Sequence, residues 1–199
     1  MLSMDKINDQ HYINLVIKGD TNAFAALVGR YKDMVFTLSL KMLQNREEAE
    51  EAAQDAFIKS YRSLGRFKGE SKFSTWIYQV TYNNCLDRLR KQKRNRTFVA
   101  LDEFAEYEVR WLMDALDTIE EAERKQMIKN CLNLLAPEEN FLLTLYYFNE
   151  ASIKEISVIM NINVNNVKIK LFRTRKKLAA ILKTKLEPQI INKYEKQGR

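Results

Sequence analysis

Residues 161–177 read Asn-Ile-Asn-Val-Asn-Asn-Val-Lys-Ile-Lys-Leu-Phe-Arg-Thr-Arg-Lys-Lys, polar and uncharged at the start and densely basic at the end. On a helix, Asn165, Asn166, Lys168, Lys170, Arg173, Lys176 and Lys177 lie away from an apolar stripe of Val164, Val167, Leu171 and Leu178. These side chains are hydrogen-bond donors. Amides and amines near a helix start can meet base edges, and later arginines and lysines can meet phosphates. A solvated surface helix shows the same basic face, so the neighbouring segments have to decide.

Just upstream, Ser152-Ile153-Lys154-Glu155 has the spacing of a capping box, and Ile153, Ile156 and Met160 share one face over two turns. Asn161-Ile162-Asn163 then forms a three-residue turn. Asn161 can take the left-handed backbone that ends a helix, and Asn163 can cap the next one. A short helix, a tight turn and a longer basic helix describe a helix-turn-helix.

A second constellation lies in residues 66–78, where aromatics and bases alternate around a glycine-containing loop. The helix that follows ends in Arg88-Leu89-Arg90-Lys91-Gln92-Lys93-Arg94, and Trp76, Gln79 and Asn83 share one of its faces. Aromatics interleaved with cations suit unpaired bases stacked beside a phosphate track, each stack contributing ~1–3 kcal/mol. Trp76 taken alone fits an ordinary core equally well.

The elements that must position these groups are all helices. Apolar periodicity predicts them at about 24–42, 49–64, 75–91, 119–135, 137–149, 152–160 and 164–183. Pro137 suits the first turn of its helix. With 5 Gly and 2 Pro in 199 residues there are few breakers, which predicts an all-α fold. Two small helical domains are expected, 1–95 and 119–186, the second carrying the helix-turn-helix. Between them runs an acidic linker, 96–118, in which Asp102, Glu103, Glu106, Glu108, Asp114 and Asp117 face only Arg96 and Arg110. Residues 187–199 read as a polar tail.

A net charge of +7 points to an acidic partner, nucleic acid or an anionic membrane. Cys85 and Cys131 lie far apart without a CxxC pair, and neither a leader core nor a membrane-length apolar run is present. A reducing cytoplasm is the expected compartment, without membrane insertion. The lone His11 has no catalytic partners in view and is expected to be structural. With neither a glycine-rich phosphate loop nor metal-ligand spacing, no enzyme, cofactor or metal is expected.

Together these segments resemble the extracytoplasmic-function (ECF, group IV) sigma factors, promoter-recognition subunits of bacterial RNA polymerase. The resemblance rests on residues 49–57 (Ala-Glu-Glu-Ala-Ala-Gln-Asp-Ala-Phe), residues 67–78, Asn83 with Asp87-Arg88-Leu89-Arg90, and residues 152–178. It implies that Glu51, Gln54 and Asp55 dock on a coiled coil of the largest polymerase subunit. It implies that Phe67, Phe73, Trp76, Tyr78 and Asn83 stack on, frame or hydrogen-bond flipped bases of the −10 strand. Lys68, Lys72, Arg88 and Arg90 would follow that strand's phosphates. Giving an expelled base a pocket offsets the cost of opening DNA.

The C-terminal unit resembles the domain that reads the −35 duplex, with Asn165, Asn166, Lys168, Lys170, Phe172 and Arg173 at the contacting positions. The acidic linker would thread the RNA exit path. An anti-sigma factor is a further partner common in the family, beside core polymerase and promoter DNA. Three departures stand out: Asn161 where the family usually has Gly, Ser157 where Ala is frequent, and Ile169 where a small polar or charged residue is usual. The alternative is a stand-alone helix-turn-helix repressor or activator. It accounts for residues 152–178 but leaves the aromatic-basic loop and the Glu51/Gln54/Asp55 face unused.

Overall fold

The computed structural model describes the backbone of residues 8–92 and 120–197, and the side chains of 8–91 and 120–186. Eight α-helices carry the described chain, and among the described residues there is no strand. The acidic linker expected at 96–118 lies outside the described residues.

The first helix, α1 (Asp9–Ile17), begins where the Asn8 side chain accepts from the Gln10 N–H. It is held to α2 (Phe24–Leu43) through Asp9, which pairs with Arg30 at 2.7 Å and accepts from the Tyr31 hydroxyl at 2.6 Å. His11 is exposed on α1 with its ring against Tyr12, so it is a surface residue without a core role. Helix α2 ends at Gln44, whose φ of 56° turns the chain, and the Asn45 side chain caps α3 (Arg46–Ser63). Glu47 and Glu48 in the first turn of α3 complement its dipole. Ala49, Ala52, Ala53 and Ala56 are all buried, and such small side chains let α3 lie close on α2. Helix α4 (Phe73–Gln92) completes the first unit, entered through a loop where Gly69 takes a positive φ of 74°.

The second unit is α5 (Glu121–Leu132), α6 (Pro137–Tyr147), α7 (Ile153–Met160) and α8 (Val164–Gln197). Pro137 occupies the first turn of α6 as expected, and Glu139 reaches back to accept from the Ala136 N–H at 3.0 Å. Helix α8 runs on to Gln197, through the segment expected to be a tail. Its last described turns are anchored by Leu182 and Leu186, both buried. That anchorage supports the helix ahead of Pro188, where one backbone hydrogen bond is forfeited and the helix nevertheless continues.

The two units are not separate bodies. Helix α4 packs on α2 and α3 with one side and on α7 with the other, while α2 also meets α6. A single apolar cluster therefore runs from Leu27, Leu38 and Ile77 through to Phe141, Ile156 and Val167. Tyr82 and Phe141, one from each unit, sit with ring centroids 5.0 Å apart. Burial on opposite sides explains why the sequence of α4 shows only a weak amphipathic stripe.

Candidate nucleic-acid and polymerase interfaces

The helix-turn-helix is built as its sequence demands. Ser152 Oγ accepts from the Glu155 N–H at 3.2 Å, and Glu155 Oε2 accepts from the Ser152 N–H at 2.8 Å, closing the capping box. Asn161 ends α7 in the left-handed region, φ 52° and ψ 47°. Asn163 Oδ1 accepts from the Asn166 N–H at 2.7 Å and opens α8. Ser157 adds a tie: its hydroxyl donates to the Ile162 carbonyl at 2.6 Å, so the small polar residue pins the turn.

Val167 and Leu171 are buried on α8, but Val164 is not; it is 37% exposed. Thr174, 2% exposed, is a further member of the inner stripe. Asn165, Asn166, Lys168, Lys170, Phe172 and Arg173 are all exposed, so the structure gathers every residue expected at the duplex on one accessible helix. They are not equivalent. Lys170 is drawn to Glu138 at 3.7 Å and Lys177 to Glu139 at 3.0 Å, whereas the Lys176 ammonium lies 4.9 Å from the centre of the Phe172 ring. Arg175, which sequence reasoning missed, spans the rings of Tyr146 and Tyr147 at 5.1 and 5.4 Å. The adjacent tyrosines were its one signal.

Around the 66–78 loop, Phe67, Phe73 and Trp76 form a closed triangle of rings 5.3–5.9 Å apart. Phe73 is 2% exposed and Tyr78 4%, so these two form the wall, while Phe67 and Trp76 keep part of their surface. Tyr31 backs the wall from α2, 5.4 Å from Phe73 and 6.2 Å from Tyr78. Its apolar spacing in α2 marked it only as core. Burial, together with the bond to Asp9, drives the Tyr31 hydroxyl well above its usual pKa, and burial pushes Tyr78 up to about 12. Both therefore stay neutral, as ring walls should. Lys68, Asn83 and Arg90 are exposed, Arg90 within 3.6 Å of Asp87 toward the far end of α4. Lys72 is paired with Glu155 of α7 at 2.8 Å, and Gln79 donates to the Val158 carbonyl at 2.9 Å.

Arg88 stands apart from this group. Its guanidinium contacts Glu51 at 3.1 Å and also bridges to Asp55, two of the three residues expected to meet polymerase. Asp55 foremost, then Glu51, raise the Arg88 pKa above its ordinary value. Beside it, Lys59 donates to Asn84 at 2.6 Å and Asn84 donates to the Ala52 carbonyl at 2.9 Å, clamping α4 to α3. Gln54 is exposed beyond the pair. Among the described residues no three His, Cys, Asp or Glu gather as a metal site, and no helix is long and apolar enough to cross a membrane.

Comparison with known proteins identifies the family. Residues 27–95 match the Sigma-70 region 2 family and residues 125–178 match Sigma-70, region 4. The ECF RNA polymerase sigma factor SigW of Bacillus subtilis is 36% identical over 172 residues, covering 83% of this chain and 92% of its own. The RNA polymerase sigma-H factor of Pseudomonas aeruginosa is 32% identical, covering 84% and 90%. Among solved structures, the sigma factor RpoE in complex with the anti-sigma factor NepR from Bartonella quintana aligns with a TM-score of 0.60. It is 17% identical and covers 80% of this chain and 96% of its own, a likeness of fold. With both Sigma-70 regions matched in order and a relative of this similarity along most of its length, the chain belongs to the ECF sigma factors of RNA polymerase.

Proposed function

We propose that this sigma factor reads promoter DNA with two surfaces and docks on core polymerase with a third. The unit of residues 1–95 would hold the polymerase and −10 surfaces, the unit of 119–186 the −35 surface, with 96–118 connecting them. Helix α8 enters the major groove of the −35 duplex, its exposed Asn165, Asn166, Lys168, Phe172 and Arg173 toward bases and backbone. Lys170 joins them once it leaves Glu138. Phe67, Trp76 and Asn83 meet unpaired −10 bases against the wall of Phe73 and Tyr78, while Lys68, Lys72 and Arg90 hold phosphates. Glu51, Gln54 and Asp55 present an acidic-polar face to a basic polymerase helix, with Arg88 holding the two carboxylates in place.

The observation that carries this reading is the coexistence of two exposed faces of opposite character. Residues 164–178 contain no carboxylate, while α3 displays Glu51 and Asp55 organised by one arginine. A free-standing repressor has use for the first face only. The partners are therefore core RNA polymerase and promoter DNA, and an anti-sigma factor fits as regulator, as RpoE is seen with one. The protein acts as a binding subunit, not an enzyme, in the cytoplasm, where polymerase works.

The test is transcription itself. Core polymerase supplied with the purified chain should initiate at a specific start site on promoter DNA. Duplex binding without initiation would favour the repressor reading. Arg173→Ala should weaken promoter binding by ~1–3 kcal/mol and relax one −35 position if the contact is bidentate to a base.

A further inference from the structure

The inward stripe of α8, Val167, Leu171 and Thr174 buried and Leu178 partly so, defines by helical geometry where its outermost line lies. At 3.6 residues per turn the opposite pole falls on Ile169, with Asn165, Phe172, Arg173 and Lys176 within about 50° of it. Lys168 and Lys170 fall near the flanks, and Lys170 is accordingly within reach of Glu138. Ile169, 47% exposed, thus shares the outward line of the helix with Lys176, and Phe172 one turn on is 59% exposed. Lys176 over the Phe172 ring places a cation beside this apolar pair, and Arg173 supplies another.

An exposed isoleucine and phenylalanine ringed by cations, with no carboxylate in residues 164–178, match one duplex feature. In the major groove only thymine presents an apolar group, its 5-methyl; every other recognition atom is a donor or acceptor. Isoleucine cannot hydrogen-bond a base, and set against a cytosine amino group it would leave that donor unpaired. We propose that Ile169, backed by Phe172, determines specificity by selecting thymine at one position of the −35 element through its 5-methyl group. The inference rests on the −35 reading of α8, and its test separates the two.

Holoenzyme reconstituted from core polymerase and the full chain is used to select from a duplex library randomised upstream of the melted segment. Each selected thymine is then replaced singly by deoxyuridine, which removes only the methyl group. One position should lose about fourfold in holoenzyme binding, the effect of a single buried methyl group. Ile169→Ala, a surface change that leaves the buried stripe intact, should abolish that penalty, while Arg173→Ala should preserve it and alter preference elsewhere. Deoxyuridine tolerated at every thymine, or a penalty that survives Ile169→Ala, overturns the assignment while leaving the −35 reading in place. A library that yields no upstream preference overturns both.

Discussion

Lys72 Nζ lies 2.8 Å from Glu155 Oε1, joining the residue ahead of α4 to the first turn of α7. A carboxylate of the helix-turn-helix unit therefore occupies the cation proposed for a −10 phosphate. Around this pair, Gln79 donates to Val158, the Tyr78 hydroxyl stands 3.5 Å from Asn149, and the Tyr82 hydroxyl donates to Glu138 at 3.4 Å. The contacts are polar and several are long, set on either side of an apolar seam. An interface of this kind can part when a better partner arrives.

Replacing Glu155 by Gln isolates the ion pair, because Gln can still close the capping box with Ser152. The Lys72 side chain is 75% exposed, so the pair falls in the surface class, ~0.2–1 kcal/mol. Glu155→Gln should leave helix content unchanged and raise the free chain's affinity for single-stranded DNA up to about fivefold, the equivalent of ~1 kcal/mol. Fluorescence anisotropy with a labelled oligonucleotide reads this directly. Unchanged affinity would mean that Lys72 does not meet phosphate.

The same carboxylate sets an acid dependence. Lys72 first, with the Ser152 backbone and hydroxyl assisting, holds Glu155 down to about 2. A depressed carboxylate contributes stability that is fully present above its unfolded pKa, about 4.3, and is lost as pH falls through the folded value. Between those limits the wild-type chain should lose urea resistance faster than Glu155→Gln, which has no carboxylate to protonate. Parallel curves for the two proteins would contradict the assignment.

Arg88 decides between two roles. Glu51 and Asp55 converge on it, so Arg88→Ala should release both carboxylates, cost ~1 kcal/mol of stability, and lower affinity for core polymerase. Gln54→Ala combined with Asp55→Ala should lower core affinity with the fold intact, as seen by co-purification. Loss of DNA binding alone in Arg88→Ala would return the arginine to the phosphate track.

The left-handed backbone at Asn161 is a local cost that Asn tolerates and most residues do not. Asn161→Ala should destabilise by ~1–2 kcal/mol. Asn161→Gly, the residue usual in the family, should be close to neutral. Urea unfolding of the three proteins checks the order, and equal midpoints for Asn and Ala would show that the turn shifts to accommodate.

Much of the C-terminal unit was legible because its signals are short-range. Ser152 and Glu155, Asn161, and Asn163 with Asn166 each act within a few residues of backbone, and each does what its spacing implies. Helix α3 announced itself through its alanine stripe for the same reason. Val164 misled because periodicity assigns a residue to a face but cannot tell whether another element covers it there. Whether Phe73 and Tyr78 stack on bases or frame them was open in the sequence, because an aromatic on a loop edge has one pattern whether it lines a wall or an opening.

What the sequence determined by itself is the inventory: helices, caps, the turn, and a basic helix beside an aromatic-basic loop. These depend on chain stiffness and on hydrogen bonds between near neighbours. Only the tertiary structure decided which charges are free. Lys72 is held by Glu155, Lys170 and Lys177 are drawn to Glu138 and Glu139, and Arg88 is set between Glu51 and Asp55. Such pairings follow from which helix faces meet once the apolar seam has closed, and no local spacing contains that information. The outward place of Ile169 on α8 is the converse case. Its register was written in the sequence, but only the packing of α7 and α6 against the other side made its face the one that points outward.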